Sequence, residues 1–245
     1  MTDILYIVGN GSEWNNNELK FSLRSIEKNG VNVGRVFLVG HKPDFVSDAV
    51  TYIPCDDPYD MKHKNIMRKV IYAIEHSDIR SHFLISSDDH YYVQKVDFDK
   101  LPVYYRNEDM PDKVVGRQIW SEYHKSLRET RWILTDAGLP TYQTNPHCNT
   151  HFNVEIYLRH KDLFDKAMAL EYGGEMNCIM GNLLIHYGEK PVHFIDSKLS
   201  RKSSLEDIAT RVKLTNCLSS VDNIATSDLA KYLQKTFNKK SIYEL

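Results

Sequence analysis

Long apolar runs are missing from this chain, and so is a strong excess of either charge. No apolar stretch approaches the ~20 residues that a membrane-spanning helix needs, and the N-terminal run Ile4 to Val8 is short, with no basic lead, unlike a secretory signal. A formal net charge of −2 argues against bulk electrostatic capture of nucleic acid or membrane, although a local basic cleft stays compatible with it. The four cysteines (Cys55, Cys148, Cys178 and Cys217) contain no CxxC pair, which suggests neither a zinc site nor a disulfide framework. Internal repeats and low-complexity tracts are also lacking. The expectation is a cytoplasmic globular chain whose 245 residues suffice for one sizeable core.

What is present is an alternation of strand and helix signals. Ile4 to Val8 reads as a buried strand that runs into Gly9, Asn10, Gly11 and Ser12. Leu19, Leu23 and Ile26 then repeat at helical spacing until Asn29 and Gly30. Val36–Val39 and Val50–Ile53 read as strands, and residues 62–75 as a helix with Ile66, Val70, Ala73 and Ile74 on its apolar stripe. Later helices are expected over 118–137, 162–170 and 175–187, and strands over 151–158 and 192–195. From Ser200 two amphipathic segments follow. The predicted class is α/β, a mostly parallel, helix-covered sheet spanning residues 1–200, with residues 201–245 as a C-terminal helical appendage of the same domain.

The chemistry centres on FLISSDDHYYV, residues 83–93. Phe83, Leu84 and Ile85 form a strand signal, and Asp88 and Asp89 follow where that strand would leave its sheet. Ligands of open α/β sheets gather at such ends, and paired acids there can hold a magnesium or manganese ion against a diphosphate. The plainer alternative is an acidic turn. Lys64 and Arg68 lie off the apolar stripe of their helix, where they either face solvent or meet phosphate oxygens. Gly9 and Gly11 would let backbone approach a nucleotide. His151, after the polar loop 141–150, is a candidate acceptor base, with Glu155 on the same strand face to orient it.

Three blocks resemble the Stealth family of sugar-phosphate transferases and related short phage and bacterial transferases of GT-A type. DILYIVGNGSEW (3–14) is similar to the family's opening block, NNELKFSLRSIEKNG (16–30) to its Asn-Glu-Leu block, and HFLISSDDHYY (82–92) to its Asn-Asp-Asp block, with Ser87, Asp88 and Asp89 standing there. Thr150–His151 and Gly181–Asn182 resemble two later pairs, and HYGEKPV from His186 is similar to a metal and phosphate motif of glycogenin-like transferases. The resemblance implies a GT-A-like fold and a nucleotide-sugar donor, a UDP-sugar, with a divalent cation, manganese or magnesium, on Asp88, Asp89 and His186. It also implies donor contacts from Gly9, Asn10, Gly11, Arg24, Lys64, Arg68, Lys190 and Lys198, and chemistry by His151, Asp88 and Glu155. The acceptor would be a glycan or a hydroxymethylated DNA base. Sugar-1-phosphate transfer, a non-catalytic sugar-nucleotide-binding module, and a metal-dependent hydrolase using Asp88, Asp89, His90 and His151 remain the rival readings.

Overall fold

The computed structural model describes residues 1–245. The chain begins with β1 (Thr2–Val8), α1 (Asn17–Asn29), β2 (Gly30–Val31), β3 (Val33–Gly40), β4 (Val50–Ile53), α2 (Lys62–His76), β5 (His82–Ser86) and β6 (His90–Tyr92). It continues through β7 (Val96–Asp97), β8 (Tyr104–Tyr105), α3 (Glu122–Asp136), β9 (Thr150–Asn153), α4 (Val154–Arg159), α5 (Lys161–Ala169) and α6 (Met176–His186). The last elements are β10 (Val192–His193), β11 (Lys198–Leu199), α7 (Leu205–Leu214), β12 (Cys217–Ser220) and α8 (Asp228–Thr236).

The central sheet has the order β4-β3-β1-β5-β9, parallel except for the antiparallel edge strand β9. Its middle strands are buried on both faces, as parallel sheets covered by helices require. In β1, Leu5 packs with Phe37, Phe83 and the side chains of α2 and α6, whereas Ile4, Tyr6 and Val8 pack with Leu19, Leu23 and Ile26 of α1. That division follows from the two-residue period of a strand. The mostly parallel α/β class expected from the sequence is the fold observed.

Two segments differ from their sequence reading. Residues 151–158 are not one strand. β9 stops at Asn153, whose Oδ1 accepts from the Ile156 backbone N at 3.1 Å and so starts α4. Residues 201–245 contain α7 and α8 as expected, but also β12, which pairs antiparallel with β6 and parallel with β11. The C-terminal region is therefore built into the wall beside the acids. Its far end is tied down as well, by Arg24, whose guanidinium meets the Glu244 carboxylate at 2.7 Å and the Phe237 carbonyl at 2.9 Å.

Candidate active site

The three parallel strands β3, β1 and β5 end on the same side of the sheet, and the loops leaving β1 and β5 form the floor of the site. Lys69, buried on α2, fixes the first of these loops. Its Nζ donates to the Val8 carbonyl at 3.0 Å and to Asp57 at 2.8 Å. Gly40 must pass beneath it with φ +108, where a Cβ would stand 2.9 Å from Lys69 Cε and closer still to the Val8 carbonyl. Gly9, Asn10 and Gly11 follow in an exposed loop. A Cβ at Gly9 or Gly11 would meet nothing within 4 Å, so the fold itself leaves this space open above β1.

Beyond β5, the chain turns through Asp88 and Asp89 into β6. Burial and the adjacent Asp89 charge push the Asp88 carboxyl up to about 7. Burial also opposes ionisation of Asp89, but His90, a 2.6 Å hydrogen bond from Ser219 Oγ, and Lys198 outweigh it and hold that carboxyl below its ordinary range. Ser219 reaches Asp89 only because β12 pairs with β6 in the register Ser219–His90. Burial drives the His90 ring down to about 4 despite Asp89 at 3.9 Å. Lys62, at the start of α2, and Glu18, held by Ser12 at 2.8 Å, also act on Asp88.

A chain of polar contacts walls the cleft. His63 Nδ1 lies 2.5 Å from Glu175, whose other oxygen accepts from Asn145 Nδ2 at 2.9 Å. Burial disfavours the charge on both groups, yet the pairing prevails: the His63 pKa is raised and that of Glu175 lowered. Asn145 and Gln143 both donate to the Tyr123 hydroxyl, at 3.2 and 2.7 Å. Arg106 continues this chain, donating to the Tyr123 hydroxyl at 3.5 Å and to Asp196 at 2.8 Å, and Asp196 Oδ1 lies 2.6 Å from His147 Nδ1. Burial works against ionisation of Asp196, but the hydrogen bond and charge of His147 and the Arg106 charge hold it well below the carboxylate range. His147 is near enough to influence Asp89 and His90, and its tie to Asp196 leaves Nε2 as the free ring nitrogen.

The remaining sequence candidates are distributed differently. Lys198 faces Asp89, but Lys64 lies against Gly173 and acts on Glu129, and Arg68 stacks over Tyr72 at 5.8 Å. Neither is brought to the acids; Lys62 is the α2 cation that acts on Asp88. Arg24 is committed to Glu244, as described above. His186 is exposed at the far end of α6 from Glu175, about 15 Å along an eleven-residue helix, and Lys190 is exposed in the turn beyond it. His151 pairs across from Leu84, well before the end of β5, with Nε2 2.7 Å from the Leu101 carbonyl and Nδ1 3.1 Å from His82. Both ring nitrogens are engaged away from the acids, and Glu155 sits exposed on α4 rather than on the same strand face.

The donor set suits one class of cation. The structure gathers no group of three or more His, Cys, Asp and Glu side chains into a ligand cage. Two adjacent carboxylates at a strand end could instead supply the protein share of a magnesium or manganese site completed by substrate phosphates and water. The rise of Asp88 to about 7 fits this, since two abutting carboxylates in a partly dry cleft resist sharing full charge.

These features define a GT-A-like α/β fold with its polar cleft at the carboxyl ends of the parallel strands. Among solved structures, the chain is similar to the galactosyltransferase LgtC in complex with donor and acceptor sugar analogs, at 10% identity and a TM-score of 0.51, over 98% of this chain and 96% of that one. It is also similar to an active-site mutant of LgtC, at 10% identity and a TM-score of 0.49 over the same shares. No protein-family model and no curated protein sequence matches the chain.

Proposed function

We propose that this protein is a divalent-metal-dependent glycosyltransferase that moves a sugar from a nucleotide-sugar donor, a UDP-sugar in the first instance, to an acceptor hydroxyl. The observation that carries this reading is the Asp88–Asp89 pair at the end of β5, beside an exposed glycine-bearing loop at the end of β1. The fold likeness to LgtC agrees with it.

In this reading the nucleotide lies over Gly9, Asn10 and Gly11, and Asp88 and Asp89 are the residues that would hold a divalent cation. A divalent cation bound there supplies Lewis-acid neutralisation of the departing diphosphate. Lys62, Lys198 and the free Nε2 of His147 add positive charge or hydrogen-bond donors around the same group. The bond from the anomeric carbon to the diphosphate oxygen breaks, and the acceptor hydroxyl oxygen forms the new bond to that carbon while its proton passes to the departing diphosphate. Glu175, Asn145, Tyr123 and Arg106 form the acceptor-side wall, where paired donors and acceptors match sugar hydroxyl groups. Asp196 keeps the ring of His147 in one orientation.

The test is a donor screen with manganese and with magnesium, with and without chelator, followed by product mass. Mass separates transfer of a sugar from transfer of a sugar phosphate, and supplying a glycan or a hydroxymethylated DNA as acceptor separates those two acceptors. A donor that neither binds nor turns over with either metal contradicts the proposal.

A further inference from the structure

Beneath the loop that carries Asn145 and His147, a small cavity separates the start of β9 from α6. Asn177, Gly181 and Leu184, at i, i+4 and i+7, turn one face of α6 towards it. Asn149 is 1% exposed and Thr150 8%, yet neither Oδ1 nor Nδ2 of Asn149, nor Oγ1 of Thr150, meets a partner within the protein. Asn177 Oδ1 is buried in the same condition. Four of the eight buried side-chain atoms without a protein partner thus belong to residues lining this one cavity. The nearby His90 ring feels the Asn149 side chain without meeting it at hydrogen-bond distance. Buried polar groups in native folds are paired as a rule, with protein or with ordered water.

The size and chemistry of the cavity select the occupant. About 10 Å³ is open to the centre of a water molecule, which is the room of one water and too little for a sugar or a phosphate. The lining offers an amide donor on Asn149, amide acceptors on Asn149 and Asn177, and a hydroxyl on Thr150 that does either. A bare cation or anion would meet groups of the wrong sign there, whereas water both donates and accepts. Which way the Asn149 amide is turned does not alter this, because both of its ends lack a partner. No Asp, Glu, Lys or Arg lines the cavity, and both ring nitrogens of His151 at its edge are engaged elsewhere.

We propose that this cavity binds one long-lived water, held by the Asn149 amide, the Thr150 hydroxyl and the Asn177 amide oxygen, which ties the start of β9 to α6. The near end of the loop is tied to α6 directly, by Tyr142 N donating to Asn182 Oδ1 at 2.8 Å and Thr144 Oγ1 to the Asn177 carbonyl at 3.0 Å. The water supplies the tie at the far end, so Asn145 and His147 hang between two anchors on one helix. What those two residues do to a substrate rests on the proposed transfer, whereas the water itself does not.

The experiment uses the full chain, labelled with 15N, without donor or metal. Magnetisation transfer from water to the Asn149 side-chain amide protons is expected, with laboratory-frame and rotating-frame signals of opposite sign, the mark of a bound water. Thr150→Val, of nearly the same shape, should keep the signal, because no hydroxyl is then present to relay it. Asn149→Leu removes the amide and leaves Thr150 and Asn177 facing an apolar wall, so its Tm should fall by about 2–6 °C. A dry cavity gives the opposite results. Absence of transfer in the wild type, its loss in Thr150→Val, or a Tm that holds or rises in Asn149→Leu overturns the proposal.

Discussion

His147 and Asp196 meet through Nδ1 and Oδ1 at 2.6 Å, and Asp196 at the same time accepts from Arg106 at 2.8 Å. This carboxylate fixes two groups beside the acid pair at once. Asp196→Asn keeps the shape but removes the charge that orients the ring. Turnover is expected to fall by about 10–100-fold, the range for losing such an orienting partner, with the circular dichroism spectrum unchanged. Wild-type turnover in this variant would remove His147 and Asp196 from the account.

Lys62 is expected to matter for the donor more than the two neighbouring cations do, because its charge acts on Asp88 whereas Lys64 faces Glu129 and Arg68 stacks on Tyr72. Lys62→Ala should weaken donor binding by about three- to tenfold, the scale of a charged contact at a wet surface. Lys64→Ala and Arg68→Ala should change it less. Calorimetric titration of the three variants with donor and manganese decides the order, and equal losses in all three would contradict it.

Much of this architecture was legible in the sequence because its determinants are local. The alternation of Ile4, Tyr6 and Val8 with Leu5, the helical spacing of Leu19, Leu23 and Ile26, and the acids after Phe83–Ile85 each declare themselves within ten residues. The cleft walls depend instead on pairs far apart in the chain. His147 and Asp196 are 49 residues apart, Arg106 and Asp196 are 90 apart, and Asp89 and Ser219 are 130 apart. No spacing rule reaches that far. Lys198 after its strand signal, and the polar loop holding His147, were the visible traces of this wall. The shared strand face expected of His151 and Glu155 fails for a local reason: Asn153 caps a helix inside an otherwise strand-like run, so the two residues part company.

The His151 ring supplies a pH test. Burial and the neighbouring His82 lower its pKa from 6.5 to about 4, against the hydrogen bond to the Leu101 carbonyl, which raises it. The unfolded chain therefore binds the proton more readily than the folded one between these values. Its contribution to stability is complete above pH 6.5 and is lost as the pH falls from 6.5 towards 4, by up to about 3 kcal/mol at 1.36 kcal/mol per unit. Urea midpoints measured from pH 7 to pH 4 should show this loss in the wild type and a shallower one in His151→Gln. Identical pH slopes for the two proteins would show that the ring is not buried neutral.

Gly181 is set against the loop that carries Asn145 and His147. A Cβ there would stand 2.5 Å from Thr144 Cβ and closer to Thr144 Oγ1, whose own hydrogen bond goes to the Asn177 carbonyl at 3.0 Å. Gly181→Ala should therefore destabilise the fold by about 1–3 kcal/mol, as overpacking does, and should lower turnover by displacing the loop. A thermal melt with no change in Tm would mean that Thr144 yields freely.

The central claim is that Asp88 and Asp89 hold a divalent cation against a nucleotide-sugar diphosphate. Calorimetry of UDP-sugar binding with manganese, run in buffers of different ionisation enthalpy, measures both the affinity and the protons released. At pH 7 the wild type should bind donor only with the metal and release a fraction of a proton, because the cation forces full ionisation of Asp88, whose pKa stands at about 7. Asp88→Asn should lose that proton release, and Asp89→Asn should lose metal-dependent binding while remaining folded. Donor binding that is unaffected by chelator, or that persists at full strength in Asp89→Asn, would contradict the account.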